Sequence, residues 1–336
     1  MRAWIVDHPA PIGHGPLRQV ERDVPQPRAG ELRVRVRVCG VCRTDLALAQ
    51  GALPPRRAGV IPGHEVVGVV DALGEGTWRF RVGDRVGIPW LRHTCGACRF
   101  CLAGRENLCQ EPRFTGWDED GSLAEYAVVD QAYASALPDG FSDAEIAPLL
   151  CAGVVGLRAL RRAKLPPYGR LGIYGFDASA HLITQLAMHE GATVHVFTRS
   201  EQARKLALSL GAASASDAGE GPPEPLDAAV LFGPEGGLVP VALEALDRGG
   251  TLALAGLHLS DIPPLSYRKD LFQERTLTSV TANTRTDGEE ALAAAARLRL
   301  QVVVTPYPMA RAEQALVDLA HGTVTGAAVL LAEGQP

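Results

Sequence analysis

The sequence contains no apolar run that approaches the roughly 18 residues of a membrane-spanning helix. It also lacks an excess of positive charge, because 33 lysines and arginines stand against 38 aspartates and glutamates. The first absence argues against a membrane protein, and the second leaves no electrostatic footprint for nucleic acid. Lysine itself is scarce, at three of the 33 basic residues, which we attribute to genome composition rather than to function.

The start of the chain does not have the pattern of a secretory signal. Asp7 and His8 stand where the apolar core of a signal peptide would continue. Disulfides are not expected either, because a chain of 336 residues does not need them for stability and the seven cysteines are an odd number. We therefore expect reduced thiols and a cytoplasmic protein.

Four of the cysteines lie close together with regular spacing, C-x2-C-x2-C-x7-C. They are Cys95, Cys98, Cys101 and Cys109. Four thiolates on a short loop form a closed tetrahedral site for Zn2+. A closed site leaves no position for water or substrate, so the spacing predicts a structural zinc. A pair of disulfides is the weaker alternative, for the reasons just given.

A second metal site with an open position is predicted from three separate segments. Cys42, His64 and Cys151 supply two thiolates and one imidazole. A catalytic zinc takes three protein ligands and keeps a fourth position free, and two cysteines with one histidine are a known set. Taken singly, each residue has an ordinary structural interpretation as a buried or packed side chain. The presence of the four-cysteine loop favours the metal.

Several motifs occur in a fixed order along the chain. They are Cys42-Arg43-Thr44-Asp45, Gly63-His64-Glu65, Gly83-Asp84-Arg85-Val86, Cys95 to Cys109 with Glu106-Asn107-Leu108, Gly121 to Tyr126, and Leu150-Cys151-Ala152-Gly153. Their order and spacing resemble the zinc-dependent alcohol dehydrogenases of the medium-chain dehydrogenase/reductase superfamily. The resemblance extends over nearly the whole chain.

The resemblance implies specific roles for the residues of the second site. Cys42, His64 and Cys151 would hold the catalytic zinc, and Glu65 could serve as an alternate ligand. Thr44 would form a hydrogen bond with the substrate oxygen and pass its proton on. With the structural ion, two Zn2+ per chain are expected.

Two positions near Cys42, Ala47 and Cys39, have no role as zinc ligands. Many relatives carry a proton-relaying histidine five residues after the first zinc cysteine, where this chain has Ala47. The relay would then run from Thr44 through a ribose hydroxyl of the cofactor to water. Cys39 has no ligand role in the family pattern and is expected to serve packing.

The middle of the chain alternates strand-like and helix-like segments. The predicted strands are 170–175, 193–197, 226–232 and 251–255, and the predicted helices are 179–190 and 201–210. Gly211 is a typical residue to end the second helix. Strands that alternate with helices indicate βαβ units and a parallel sheet.

We therefore predict an α/β protein with a Rossmann-type doubly wound parallel sheet. This dinucleotide-binding domain is placed at residues 153–284. Residues 1–152 and 285–336 are expected to form a discontinuous zinc-binding catalytic domain, which the resemblance implies is β-rich and GroES-like. Its last strand is predicted at Leu330-Leu331.

The glycine turn of the dinucleotide fold is altered. A G-x-G-x-x-G/A turn is expected between strand and helix, and its second glycine lets the backbone approach the pyrophosphate. Here that second position is Asp177. The candidate cofactor-binding residues are Gly175, Phe176, Asp177, Ala178, Ser179 and Ala180, with Arg43 as a further phosphate contact.

Asp177 has two interpretations. It could simply cap the following helix, since aspartate is a preferred N-cap. Alternatively, its side chain and charge lower the affinity for the cofactor. We expect a weakened but working site.

The choice of cofactor is predicted from the end of the second strand of this domain. An NAD site usually has an acidic residue there to hold the ribose 2'-hydroxyl. This chain has Thr198-Arg199-Ser200, in which Arg199 suits a 2'-phosphate and the hydroxyls can add contacts. NADP(H) is therefore favoured over NAD(H). A solvated arginine beside the helix cap Ser200 is the alternative, and Glu201 weakens the case for NADP(H).

The implied activity is hydride transfer between a nicotinamide cofactor and a small alcohol or aldehyde. Trp90 and Trp117 fall where the family's substrate pocket is lined and favour primary or aromatic alcohols, although either could belong to the core. A homodimer or homotetramer is expected. Two alternatives are a catalytically silent, zinc-stabilised nucleotide-binding relative, suggested by Asp177 and Ala47, and a specialised aldehyde reductase.

Overall fold

The computed structural model describes residues 1–256 and 259–333, and it divides the chain into two compact units. The first comprises Met1–Cys151, Ala282–Ala296 and Val302–Pro336, and the second comprises Ala152–Thr281 and Arg297–Gln301. In the part of the chain that is described, no helix is long and apolar enough to cross a membrane.

The strands follow one another along both units. They are β1 Arg2–Val6, β2 Leu17–Glu21, β3 Glu31–Val41, β4 Glu65–Leu73, β5 Arg85–Ile88, β6 Leu91–His93, β7 Arg113–Phe114, β8 Tyr126–Asp130, β9 Ser135–Ala136, β10 Arg170–Tyr174, β11 Thr193–Phe197, β12 Ser214–Ser216, β13 Leu226–Leu231, β14 Leu246–Leu254, β15 Thr276–Ser279, β16 Val304–Pro308 and β17 Ala327–Leu331.

The helices, like the strands, are distributed over both units. The α-helices are α1 Arg43–Gln50, α2 Arg99–Leu102, α3 Asp143–Ile146, α4 Ala152–Ala163, α5 Ala178–His189, α6 Glu201–Ser209, α7 Leu238–Ala245, α8 Arg285–Leu298 and α9 Ala312–His321. Short 3-10 turns cover Glu106–Leu108, Ala147–Leu150, Ala218–Glu220 and Met309–Arg311, and a π-helical turn covers Tyr267–Leu271.

The first unit is built on a sheet with the order β16–β17–β3–β4–β5–β9, in which β8 also pairs with β3. Its central strand β3 alternates arginine with valine or leucine: Leu32, Val34 and Val36 are buried. Alternation of this kind is typical of an antiparallel strand with one face on the core. The apolar face packs with Val66, Val86 and neighbouring side chains into one cluster.

The second unit is a parallel sheet with the order β12–β11–β10–β13–β14–β15. Its central strands β10 and β13 are buried on nearly every residue, which is typical of a parallel sheet that helices cover on both faces. The strand order reverses between β10 and β13. In such sheets ligands bind beyond the carboxyl ends of the strands at this reversal.

The predicted fold class, a Rossmann-type sheet with a GroES-like unit, is confirmed. The strand 193–197 has the predicted bounds, and α5 and α6 lie within one residue of theirs. The strand predicted at 251–255 is wrong at its start, because β14 begins at Leu246. Leu226 pairs with Leu246 and Ala228 pairs with Thr251, so the register of β13 and β14 shifts between these two pairs. The shift accommodates the polar stretch 247–250, which has no apolar pattern from which a strand could be predicted.

Candidate functional site

The four-cysteine loop, residues 95–109, brings its sulfurs together. Cys98 Sγ lies 3.5 Å from Cys101 Sγ, Cys95 Sγ lies 3.5 Å from Cys109 Sγ, and Cys95 Sγ lies 4.0 Å from Cys101 Sγ. A tetrahedron with Zn–S bonds of about 2.3 Å separates its sulfurs by roughly 3.8 Å. The donor set therefore fits a closed zinc site.

The backbone of the four-cysteine loop is turned toward the same sulfurs. The amide of Cys98 donates to Cys95 Sγ at 3.4 Å, and the amides of Cys95 and Glu111 donate to Cys109 Sγ at 3.3 and 3.4 Å. Such donors stabilise thiolate charge, which a metal-binding sulfur carries. All seven cysteines, each within the described ranges, are free of disulfides.

A second group of residues that could hold a metal ion, which we call the open cluster, consists of Cys42, His64, Glu65 and Cys151. Their ligand atoms all lie within 4.8 Å of one another. Cys42 caps α1, His64 and Glu65 stand at the start of β4, and Cys151 follows a 3-10 turn. Among the described residues, this cluster and the four-cysteine loop are the candidate metal sites.

The open cluster is tightly packed, with two of its residues buried and its two cysteines partly exposed. Cys42 Sγ is 3.2 Å from His64 Nε2, and His64 and Glu65 are 1% and 2% exposed. Gly40 makes room for the glutamate, since a Cβ at that position would lie 1.9 Å from Glu65 Oε2. Two thiols, an imidazole and a carboxylate are ligands that zinc prefers. The residues therefore fit a catalytic zinc with Glu65 as an additional donor.

The charges of the open cluster influence one another strongly. The hydrogen bond from Cys151 and the charge of His64 outweigh burial and lower the pKa of Cys42 to about 5. The same hydrogen bond and burial raise the pKa of Cys151 well above its usual value. Burial raises the pKa of Glu65. A sulfur that ionises this readily is a ready metal ligand, because the thiolate is the coordinating form.

Asp45 supports the open cluster from behind, although no motif marks it for this role. Its Oδ1 is 3.4 Å from His64 Nδ1, and the carboxylate accepts hydrogen bonds from the amides of Cys42 and Gly63, both at 3.0 Å. A carboxylate behind a metal-binding histidine orients the ring and raises its basicity. The position of Asp45 three residues after Cys42 could have suggested this, since that spacing is a capping box.

The other residues around Cys42 are placed as follows. Thr44 is buried in the first turn of α1, and its amide donates to Cys42 Sγ at 3.3 Å. Ala47 is buried one turn further on. Cys39 is fully buried, accepts a hydrogen bond from Ser122 Oγ at 3.2 Å, and is not part of the open cluster. Arg43 is exposed at the start of α1.

A row of aromatic rings extends from the open cluster. Trp90 meets His64 edge-on, with ring centroids 4.7 Å apart, and stacks on Phe114 at 4.9 Å and Trp117 at 6.0 Å. The guanidinium of Arg56 covers Trp117 at 3.7 Å. Trp90 and Trp117 are both partly buried, and Trp90 lies beside His64. Phe114 and Arg56 were not predicted as site residues, because no motif marks them.

In the second unit, the turn after β10 has the geometry that a nucleotide fold needs. Gly175 has φ +83°, and a Cβ there would lie 2.6 Å from the amide nitrogen of Gly233, at the end of β13. Phe176 and Ala178 are half-buried, whereas Ser179 and Ala180 are buried at the start of α5. Asp177 caps this helix, because its Oδ1 accepts hydrogen bonds from the amides of Ser179 and Ala180.

The end of β11 carries Thr198, Arg199 and Ser200. Arg199 is well exposed and forms an ion pair of 3.1 Å with Glu235, which follows β13. Ser200 Oγ caps α6 by accepting a hydrogen bond from the amide of Ala203 at 3.2 Å. The Thr198 carbonyl accepts from Arg204 at 2.7 Å. Glu235 was not predicted, because it lies far from Arg199 in the sequence.

Comparison with known proteins identifies relatives of the whole chain. The family model "Alcohol dehydrogenase GroES-like domain" matches residues 28–139. A Mycobacterium tuberculosis protein named "Probable alcohol dehydrogenase AdhA" is 56% identical over 98% of this chain and 97% of its own length. An alcohol dehydrogenase of Geobacillus stearothermophilus is 34% identical, covering 94% and 96% of the two chains.

A solved structure agrees with this similarity. The cobalt- and zinc-bound thermostable alcohol dehydrogenase from Pyrobaculum aerophilum superposes with a TM-score of 0.90 at 26% identity, over 98% of this chain and 99% of that chain. The relatives found by sequence and the structure found by fold are therefore both named as alcohol dehydrogenases.

Proposed function

The chain belongs to the zinc-dependent alcohol dehydrogenases of the medium-chain dehydrogenase/reductase superfamily, and from that premise we propose its metal content, cofactor preference and substrate class. It is an oxidoreductase of alcohols and aldehydes that uses a nicotinamide cofactor. The proposal is that it holds two Zn2+, prefers NADP(H), and acts on primary or aromatic alcohols and the matching aldehydes.

The observation that carries the proposal is the open cluster itself. Four ligand atoms from three separate segments converge within 4.8 Å, and three of them form the cysteine–histidine–cysteine set of a catalytic zinc. The four-cysteine loop supports the second, structural ion. The convergence argues against a catalytically silent relative, which would have no need to keep this ligand set.

The chemistry divides between bound groups and side chains. A zinc ion in the open cluster would polarise the substrate oxygen, and the nicotinamide would accept or donate the hydride. Thr44, two residues beyond Cys42, is proposed to accept the hydroxyl proton in alcohol oxidation through its Oγ1 and return it in the reverse direction. Ala47 can carry no proton, so the proton must leave Thr44 by another route.

The aromatic row supports the proposed substrate class. Trp90 stands between His64 and two further rings, so a substrate held near the open cluster would meet flat apolar surface. Such surface stabilises an aryl group through area burial and ring stacking. Indole rings at this position would also limit the access of water to the reacting centre. An aldehyde reductase with the same row of aromatic rings is the related alternative.

Arg199 supports the preference for NADP(H). It follows β11, at the position where an acidic residue holds a ribose hydroxyl in NAD-binding proteins. In this structure the guanidinium of Arg199 forms an ion pair with Glu235. An arginine binds a phosphate through charge-assisted hydrogen bonds, which a ribose hydroxyl cannot match.

The reduced cysteines support a reducing compartment, and we propose a cytoplasmic homodimer or homotetramer.

The proposed function is tested by metal analysis, cofactor titration and turnover of the purified protein. Two zinc equivalents per chain, tighter binding of NADPH than of NADH, and faster oxidation of benzyl alcohol than of ethanol are expected. A protein that binds neither cofactor and oxidises neither alcohol would contradict the proposal.

Selectivity is tested separately with Arg199→Ala. Loss of a charged hydrogen bond of about 1.5–3 kcal/mol should weaken NADPH binding roughly tenfold or more, with little change for NADH. Arg248→Ala is the matched control, because it removes an exposed arginine of the same unit within β14. Equal weakening for both cofactors would show that Arg199 does not recognise the 2'-phosphate.

A further inference from the structure

The N-terminus of α5 already holds a negative charge from the chain itself. Asp177 Oδ1 accepts hydrogen bonds from the Ser179 amide at 2.8 Å and from the Ala180 amide at 3.0 Å. One carboxylate oxygen therefore occupies two of the amides at the start of a twelve-residue helix. These first-turn amides have no partner within the helix, and together with the helix dipole they attract anions.

The same turn is the one that the fold offers to the cofactor diphosphate. Gly175 directly follows β10 at the point where the strand order reverses, and its left-handed conformation places it against Gly233. In this turn the second glycine of the pattern allows the diphosphate to approach the backbone. Asp177 stands at that second position, so its side chain occupies space and donors that the diphosphate would use.

We propose that Asp177 is a built-in competing anion that limits how tightly this enzyme holds its nicotinamide dinucleotide. The inference rests on the proposed function, because it assumes that the cofactor binds at this turn. To bind, the cofactor diphosphate must displace the carboxylate from the two amides or lie beside it against a like charge. Both routes lower affinity for NADPH and NADH alike, since the two cofactors share the diphosphate.

Replacing Asp177 should change protein stability and cofactor affinity in opposite directions, and this makes the proposal testable. Removing the carboxylate takes away an N-cap, which lowers stability clearly when alanine replaces the cap and only slightly when glycine does. The same change frees two amides and removes a like charge. A residue that only caps would show the loss of stability alone.

The experiment measures the dissociation constants of NADPH and NADH by isothermal titration calorimetry, and the melting temperature without cofactor, on the purified zinc-loaded protein. Asp177→Gly should tighten both cofactors about tenfold, equivalent to ~1.4 kcal/mol, while the melting temperature falls by no more than about 1 °C, because glycine is itself a tolerated N-cap. Asp177→Asn keeps an oxygen acceptor and removes the charge. It should tighten binding by a smaller factor with a smaller loss of melting temperature.

Two control variants separate the effects. Asp247→Asn removes the same charge near Arg170, at the opposite end of β10, and should leave both dissociation constants unchanged. Ser142→Ala removes the N-cap of α3 in the first unit, where the hydroxyl accepts from the Glu145 amide at 3.3 Å. It should lower the melting temperature without changing cofactor binding.

The possible outcomes distinguish this inference from the proposed function. Unchanged or weaker binding in both Asp177 variants, with a wild type that binds cofactor and oxidises alcohols, would overturn the inference and leave the function standing. If Asp177→Gly does not fold, the asparagine variant decides by the same criterion. Absence of nicotinamide dinucleotide binding in the wild type and in both variants would overturn the inference together with the proposed function.

Discussion

The four-cysteine loop and the open cluster use the same chemistry but are assembled in different ways. The loop draws its ligands from fifteen consecutive residues, whereas the open cluster draws Cys42, His64 and Cys151 from segments far apart in the chain. Closing a short loop costs little chain entropy, and closing a long one costs more. The four-cysteine loop can therefore form largely by itself, but the open cluster depends on the completed sheet of the first unit.

The surroundings of the two sites differ accordingly. Backbone amides of the loop itself donate to its sulfurs. The open cluster relies on residues placed by other elements, such as Asp45 behind His64 and Gly40 beside Glu65. A metal ion bound in the local site would thus contribute to folding, whereas the site assembled by tertiary structure would hold a metal ion in a defined geometry with one position open to substrate.

The largest expected effect comes from breaking the open cluster. Cys151→Ser should lower kcat/KM by roughly 1000-fold or more, because zinc supplies several kcal/mol of transition-state stabilisation. The melting temperature should change little. Kinetics and zinc analysis check this, with one equivalent of zinc expected to remain. Retained turnover in a variant with one zinc would remove the open cluster from the mechanism.

Breaking the four-cysteine loop should affect stability first. Cys98→Ser is expected to lower the free energy of unfolding by more than about 4 kcal/mol, since loss of a metal site belongs to the most disruptive class of change. Calorimetry and zinc analysis measure this effect. The fraction that stays folded should keep its kcat. A normal melting temperature with one zinc missing would contradict a structural role for that ion.

A smaller effect is expected from the support behind the open cluster. Asp45→Asn keeps the size of the side chain but removes the charge facing His64 and should lower zinc affinity or kcat/KM about 10- to 100-fold. Competition with a chelator measures the affinity of each site. The four-cysteine loop should hold its ion as tightly as before, so weakening of both sites would indicate a general loss of structure instead.

The smallest effect tests how local the four-cysteine loop is. Glu106 in the loop accepts hydrogen bonds from the amide of Arg285 at 2.6 Å and from its guanidinium at 3.0 Å. Glu106→Gln should lower the free energy of unfolding by about 1–2 kcal/mol, with two zinc ions retained. Chemical denaturation checks this. Loss of the structural ion would show that the loop needs this distant partner.

Much of the architecture could be predicted because it depends on local pattern. The strand Thr193–Phe197 and the helix after it follow from apolar spacing and from Ser200 and Gly211 at the helix ends. The start of β14 at Leu246 could not be predicted, because a register irregularity and pairing with β13 hold a polar stretch in the sheet. Pairing partners of this kind are set by tertiary structure.

The candidate sites divide in the same way. A zinc site on the four-cysteine loop could be predicted from the sequence alone, because its candidate ligands are neighbours and thiolates at that spacing fit one geometry. The sequence also indicated Asp177 as the altered position of the glycine turn, but left its role open. The contacts of the Asp177 carboxylate with two helix amides, of Asp45 with His64, and of Glu235 with Arg199 are visible only in the folded chain. These contacts join a side chain to a partner whose position depends on the fold, so no spacing along the chain encodes them.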